Sequence, residues 1–463
     1  WRVPAILAPI FDAQMYLAWI GYIHADIPFG SNLGWMKPYF FLTHALFPSL
    51  SAAENWLLSQ WLTVFVAIYL LWHSLFLLTR RLHTATFVTL LAVATTFLHT
   101  SQRPGIYSWY APFGIASIAL GWFVTQRIGQ GHGLRIRDIG LLSLATLLSA
   151  TYPWLLIPTL IWNGSLVVWA AAKYRGRRAS FCLFIGVCIV IPAIIWLIFL
   201  RVEPTALAPI LDTFKRYGLG WTRFPFFSTA LLPVIGWIIL TGYIAKRKTD
   251  FSHIYPLFLG WITVWFCFEF TPFTGVLFQN DHFRSTVLFL SWFSLAAMWD
   301  IPWKSFRFTD RSTRIPFLIL LIALAFLFKN CYLLLSIPNQ DLSYIHIAYW
   351  LPLALASIRF FYTPLFLERV SIIIALFIGL MGGWSVWKRE WLASPMLQSL
   401  QPLIGAVEAT VPASEPICTD IMWADRLAAN IPRLIIPSIT VRFLPQTEDK
   451  QEETLASFAN FYR

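Results

Sequence analysis

Apolar residues run along this chain in long blocks, each ended by a short basic or polar connection. Blocks of roughly 16 to 22 residues match the ~20 that a helix needs to cross bilayer hydrocarbon. They predict helices near 57–78, 84–99, 106–125, 139–151, 153–172, 180–200, 228–245, 254–270, 285–299, 315–336, 344–358 and 370–387. The short segments of alternating polarity that mark a membrane β-barrel are absent. The expected fold is therefore an all-α polytopic membrane protein with about 12 transmembrane helices. It divides into an external loop with a surface helix at 1–56, a transmembrane helical domain at 57–387, and an external C-terminal tail at 388–463.

Tyr152-Pro153 separates two of the blocks. Proline disfavours helix in the residue before it, so the sequence reads as a tight turn between two shortish helices, with a single kinked helix as the competitor. Basic residues discriminate between them. Arg80 and Arg81, then Arg127, Arg135 and Arg137, then Lys173, Arg175, Arg177 and Arg178 form the first clusters. Lys246, Arg247 and Lys248, then Lys304, Arg307, Arg311 and Arg314, and finally Arg359 and Arg369 follow. With the turn, all of them fall in alternate connections, and the excess of Lys and Arg makes that side cytoplasmic. With one kinked helix, the 173–178 cluster would face the other way.

This topology puts 1–56, 100–105, 201–227, 271–284, 337–343 and the tail from 388 on the external side. Because the sequence starts at Trp1 and not at Met, an external start implies a preceding span, or about thirteen in an intact protein. Ile210, Phe214, Tyr217 and Trp221 recur at helical spacing, as do Tyr16, Trp19, Ile20 and Ile23. Each set predicts either a helix lying on the membrane surface or a stripe packed on neighbouring helices. In the tail, Ile439–Leu444 reads as a short strand and the chain from Glu448 as a helix, the makings of a small α/β domain.

Composition agrees with the block pattern: 58% of residues are hydrophobic, 12% are charged, and the mean hydropathy is +0.65. Ordinary globular domains carry about 25% charged residues. The net charge of +12 would suit nucleic acid, but the basic residues cap the apolar blocks and set topology instead. Cys182, Cys188, Cys267 and Cys331 lie in apolar blocks and Cys418 in the tail, without a Cys-x-x-Cys pair, so neither a disulfide framework nor a zinc site is predicted.

Phosphate-binding glycine loops, Gly-x-Ser-x-Gly and His-Glu-x-x-His are all missing. Chemistry must then come from polar residues on the external side. Asp12 stands at the start of the first surface helix, where a carboxylate can accept a proton from an attacking hydroxyl or simply cap the helix. Asp26, before Ile27-Pro28, reads as a turn residue. The run from Thr271 to Arg284 carries Asp281, His282 and Arg284, a set suited to a lipid phosphate or to a capped helix start with an interfacial arginine. Gln102, Arg103, Tyr107, Trp109 and Tyr110 form either an interfacial aromatic belt or, through Arg103, a second phosphate contact. Glu269 is a further candidate acid or a helix-end carboxylate reaching water.

Phe11-Asp12-Ala13-Gln14-Met15-Tyr16, with the surface helices, the many spans and the external tail, resembles the GT-C superfamily of membrane glycosyltransferases. Tyr152-Pro153 and Gln279-Asn280-Asp281-His282-Phe283 resemble an uncharacterised prokaryotic subgroup. The resemblance implies a polyprenyl-phosphate sugar as donor, a glycan, lipid or protein acceptor, an active face outside the plasma membrane, and Asp12 as the acceptor's base. Arg103, Tyr107, Asp281, His282 and Arg284 would then bind substrate. The chain departs from the family pattern in having Ala13 beside Asp12 and no carboxylate in 100–105, which leaves a divalent metal open. A transporter or lipid flippase would line a route with the same groups, and an inactive GT-C-like scaffold would lack the second acid.

Overall fold

The computed structural model describes residues 43–50, 52–97, 111–129, 135–149, 159, 162–164, 166, 231–247, 254–269, 284–299, 301, 313–336, 341–362, 366–374, 376–377, 380, 402–412, 417–418 and 435–436. These residues are overwhelmingly helical. The long helices are α1 (Ala52–Thr79), α2 (Leu82–Ala92, running on through a π-helical turn at Val93–Phe97), α3 (Ala111–Gly129) and α4 (Ile136–Ser149). They continue with α5 (Leu231–Arg247), α6 (Ile254–Glu269), α7 (Arg284–Trp299), α8 (Arg314–Ser336) and α9 (Asp341–Ile358). Each matches an expected apolar block to within a few residues. The stretch expected at 370–387 begins earlier, as helix at 366–374. In the tail, 402–410 is helical and a two-residue parallel ladder joins β1 (Ile417–Cys418) to β2 (Ile435–Ile436). The expected strand at 439–444, the terminal helix and both surface-helix stripes lie outside the described residues.

The core is organised around α7. Every side chain from Val287 to Trp299 is buried, including Ser291 and Ser294, whose hydroxyls find hydrogen-bond partners inside the bundle. Helices α1, α2, α3, α6 and α9 all pack on it. Small residues let them approach. Ser294 Oγ accepts a 2.9 Å bond from Trp261 Nε1 of α6, while Ser291 Oγ bonds back to Val287 O at 2.7 Å. On α9, Pro352 sits inside the helix, and the fully buried stretch around it is held by Phe326 of α8 stacked on Trp350 with centroids 4.6 Å apart.

Helices α1 and α8 show the opposite disposition. Leu62–Thr79 and Arg314–Leu333 are long and apolar enough to cross a membrane, yet only 22% and 28% of those windows are buried. Phe65, Tyr69, Leu318, Leu321 and Phe328 point outward. The core helix of a water-soluble domain hides its apolar face. Contiguous outward apolar surface of this kind calls for another apolar phase against it.

A continuous helix through 146 and 162 is ruled out. Ser117 Oγ of α3 lies 3.3 Å from Thr146 Oγ1 of α4, whereas Trp162 Nε1 donates to Ile118 O at 3.3 Å and Asn163 packs on Gly121. One unbroken helix would carry residue 162 about 24 Å past residue 146 at 1.5 Å per residue. Thr146 and Trp162 instead meet α3 at adjacent residues, Ser117 and Ile118; Tyr152-Pro153 lies outside the described residues.

Two glycines test this packing. A Cβ at Gly260 would overlap the Trp162 indole, whereas one at Gly140 would meet nothing within 4 Å. Gly260→Ala is expected to destabilise by about 1–3 kcal/mol through overpacking, and Gly140→Ala to stabilise by up to about 1 kcal/mol through helix propensity. Thermal melting of the two variants in detergent checks both signs.

Candidate functional site

The described helices have two chemically different ends. Arg80 follows the last residue of α1, Arg127 lies in the last turn of α3, Arg137 in the first turn of α4, and Ile301 just beyond α7; all four line one cavity, so these helix ends meet. The end of α9 joins them, because Arg359 Nε donates to Trp299 O at 3.0 Å. So does the start of α2, where His83 Nδ1 lies 3.4 Å from Glu368 Oε1, which also accepts from Trp299 Nε1 at 2.8 Å. Phe317 near the start of α8 meets Phe361 edge-on at 6.1 Å, which brings Arg314 to the same end. Arg80, Arg81, Arg127, Arg137, Arg314, Arg359 and Arg369 therefore gather at one end of the bundle.

Two of these charges are structural. Arg359 and Glu368 are 8% and 7% exposed, and burying a charge is costly unless hydrogen bonds compensate. Arg359 uses Nε on Trp299 O and one terminal nitrogen on Tyr362 O at 3.0 Å. It thereby caps α7, whose final carbonyls have no partner within the helix and carry the negative end of its dipole. Glu368 ties the Trp299 indole to the 366–374 segment, and Phe87 of α2 packs on the same ring at 4.8 Å.

The cavity is the second feature of this end. It encloses about 830 Å³ between α1, α3, α4 and α7. Its body is apolar, with Leu77, Leu120, Phe123, Leu144 and Phe293 among its walls, and its rim carries Arg80, Arg127 and Arg137. Arg127 lies over the Phe123 ring at 5.9 Å. Arg80 occupies the left-handed region at φ 58, where glycine is the low-cost residue. The turn around it is secured by Arg80 N–H on Phe76 O at 2.8 Å and Arg81 N–H on Thr79 Oγ1 at 3.2 Å.

The opposite ends of α1, α2, α3 and α7 are marked by Ala52, Phe97, Ala111 and Arg284. A buried polar ladder stands there. Thr43 Oγ1 donates to Asn55 Oδ1 and lies 2.9 Å from Ser59 Oγ, Ser59 Oγ donates to Asn55 Oδ1 at 3.1 Å, and Thr63 Oγ1 donates to Ser59 O at 2.9 Å. Asn55 and Ser59 are completely buried, so the ladder fixes the entry into α1 without exposing polar groups.

Asp12, Arg103, Tyr107, Asp281 and His282 lie outside the described residues, and of Arg284 only the backbone position at the head of α7 is described. Sequence reading assigned Arg80, Arg127 and Arg137 to topology alone and overlooked their convergence on a cavity. The four-residue spacing of Asn55, Ser59 and Thr63 was the one available signal for the ladder. Among the described residues no cluster of His, Cys, Asp or Glu suits a metal ion.

Arg359→Leu is expected to cost about 1.5–3 kcal/mol, the range for hydrogen bonds to charged groups, while Arg369→Leu at the exposed neighbouring turn changes stability by less than about 0.5 kcal/mol. Comparison of their melting temperatures checks the difference. Searches against family models, curated proteins and solved structures find no match to the chain.

Proposed function

We propose that the chain is a multi-pass membrane glycosyltransferase of the GT-C kind, taking a sugar from a polyprenyl-phosphate donor and passing it to an acceptor on the extracytoplasmic face. The reading includes about 12 spans, their basic end facing the cytoplasm. The observation that supports it best is the arrangement of helix ends. The N-terminus of α1, the end of the α2 π turn, and the starts of α3 and α7 all lie opposite the arginine-rich end. Arg103 with Tyr107 lies in the segment between Phe97 and Ala111, and Asp281 with His282 lies just before Arg284, while Asp12 precedes Ala52 by about forty residues of the segment that leads into α1.

In this reaction an acceptor hydroxyl oxygen attacks the anomeric carbon of the donor. The bond from that carbon to the phosphate oxygen breaks, and the polyprenyl phosphate leaves with the electron pair. Asp12 takes the hydroxyl proton. Arg103, His282 and Arg284 hold the departing phosphate and offset its growing negative charge, a task that benefits from fixed cations in a water-poor site. Tyr107 and Asp281 orient the sugar. The tail from 388 forms an external appendage beside this face.

Asp12→Asn, assayed with a radiolabelled polyprenyl-phosphate sugar and a cell-envelope extract as acceptor, should lower transfer at least about 100-fold, the contribution of a positioned base. Its melting temperature should be unchanged. Full transfer by the folded variant would remove Asp12 from the mechanism, and uptake of substrate into liposomes without any transfer product would replace the enzyme by a transporter.

A further inference from the structure

The arginine-rimmed cavity lies at the end of the bundle remote from the proposed transfer chemistry, and three features of it point to a ligand. The first is charge. Arg80, Arg127 and Arg137 stand at one mouth, and no carboxylate is among the described residues lining it. The second is shape. Along α1 the lining runs from Leu70 to Arg80 and along α3 from Phe113 to Arg127, about 15 Å and about 21 Å at 1.5 Å per residue, the length of an apolar trough that takes an extended acyl chain. The third is the residue at the left-handed turn. Arginine at φ 58 carries backbone strain that glycine would relieve, and its side chain is what brings a cation to the rim.

We propose that this cavity holds one anionic glycerophospholipid of the cytoplasmic leaflet, its phosphate between the three arginines and an acyl chain along Leu120, Phe123, Leu144 and Phe293. The proposal rests on the membrane orientation given above. The basic end faces the leaflet where anionic lipids concentrate, and a basic pocket between membrane helices is suited to their headgroups. Guanidinium groups take two phosphate oxygens at once, which a surface lysine cannot do. A trough of this length takes one acyl chain of a glycerophospholipid, whereas a polyprenyl chain would extend beyond it. The bound lipid would fill the gap between α1, α3, α4 and α7 and hold the far ends of α1, α3 and α7 in register.

Full-length protein purified in a neutral detergent is tested against dioleoyl phosphatidylglycerol, dioleoyl phosphatidylcholine, undecaprenyl phosphate and inorganic phosphate, by native mass spectrometry and thermal melting. Phosphatidylglycerol should be retained at least about fivefold over phosphatidylcholine and should raise the melting temperature where phosphatidylcholine and inorganic phosphate do not, whereas any rise with undecaprenyl phosphate, bound at the opposite face, should survive Arg80→Gly. Arg80→Gly should bring that ratio towards one without lowering the melting temperature of the lipid-free protein, since glycine suits the turn. Ala116→Phe, which fills the cavity body and leaves every arginine in place, should also reduce retention. Equal retention of the two phospholipids, or selectivity unchanged when Arg80→Gly is combined with Arg127→Gln and Arg137→Gln, would overturn the proposal. So would displacement of phosphatidylglycerol by undecaprenyl phosphate, or an equal shift with inorganic phosphate alone. A protein that stays monodisperse without detergent would refute the membrane orientation itself, whereas a detergent-dependent protein without lipid selectivity would refute the lipid site alone.

Discussion

Burial of α7 on every side is the constraint from which the rest of the arrangement follows. Ser291 and Ser294 of this helix need partners inside the bundle, and α1, α2, α3, α6 and α9 surround it. Its serines and alanines permit the close approach that larger side chains would prevent, as in helix pairs packed within a bilayer. Once those helices surround α7, their outward faces are committed. The apolar exteriors of α1 and α8 then need a lipid-like neighbour, because water in contact with Phe65, Leu321 and Phe328 would oppose the same packing that buries α7.

The two ends of the bundle meet different demands. At one end the carbonyl terminus of α7 is closed by Arg359, with Glu368 bridging the Trp299 indole and His83. Cations at helix C-termini and in connections thus serve packing and the lining of the cavity together. At the other end, the neutral ladder of Thr43, Asn55, Ser59 and Thr63 settles the start of α1 without charge. Glu54 in the first turn of α1 and Arg284 at the head of α7 are among the charges the described helices carry there, and the connecting segments supply the further charged groups of the proposed chemistry.

Much of the helical layout was legible in the sequence because block length and basic punctuation are local signals. The start of α8 at Arg314 and the limits of α6 at Ile254 and Glu269 fall almost where the apolar runs begin and end. What could not be read was convergence. Arg359 looks like any loop arginine until α7 and α9 are seen to end together, and Arg80, Arg127 and Arg137 belong to connections that only the packing of α1, α3 and α4 brings around one cavity. The candidate chemistry at Asp12, Arg103, Asp281 and His282 was read from residue type and resemblance.

The central claim is that one end of the bundle faces the cytoplasm and the other does not. It is tested most directly by single cysteines placed at Ser49, before α1, and at Arg135, before α4, in a chain whose five cysteines are replaced. Intact cells are treated with a membrane-impermeant thiol reagent. Labelling of Ser49→Cys from outside, with Arg135→Cys labelled only after permeabilisation, is the predicted result. Equal labelling of both without permeabilisation, or the reverse pattern, would contradict the account.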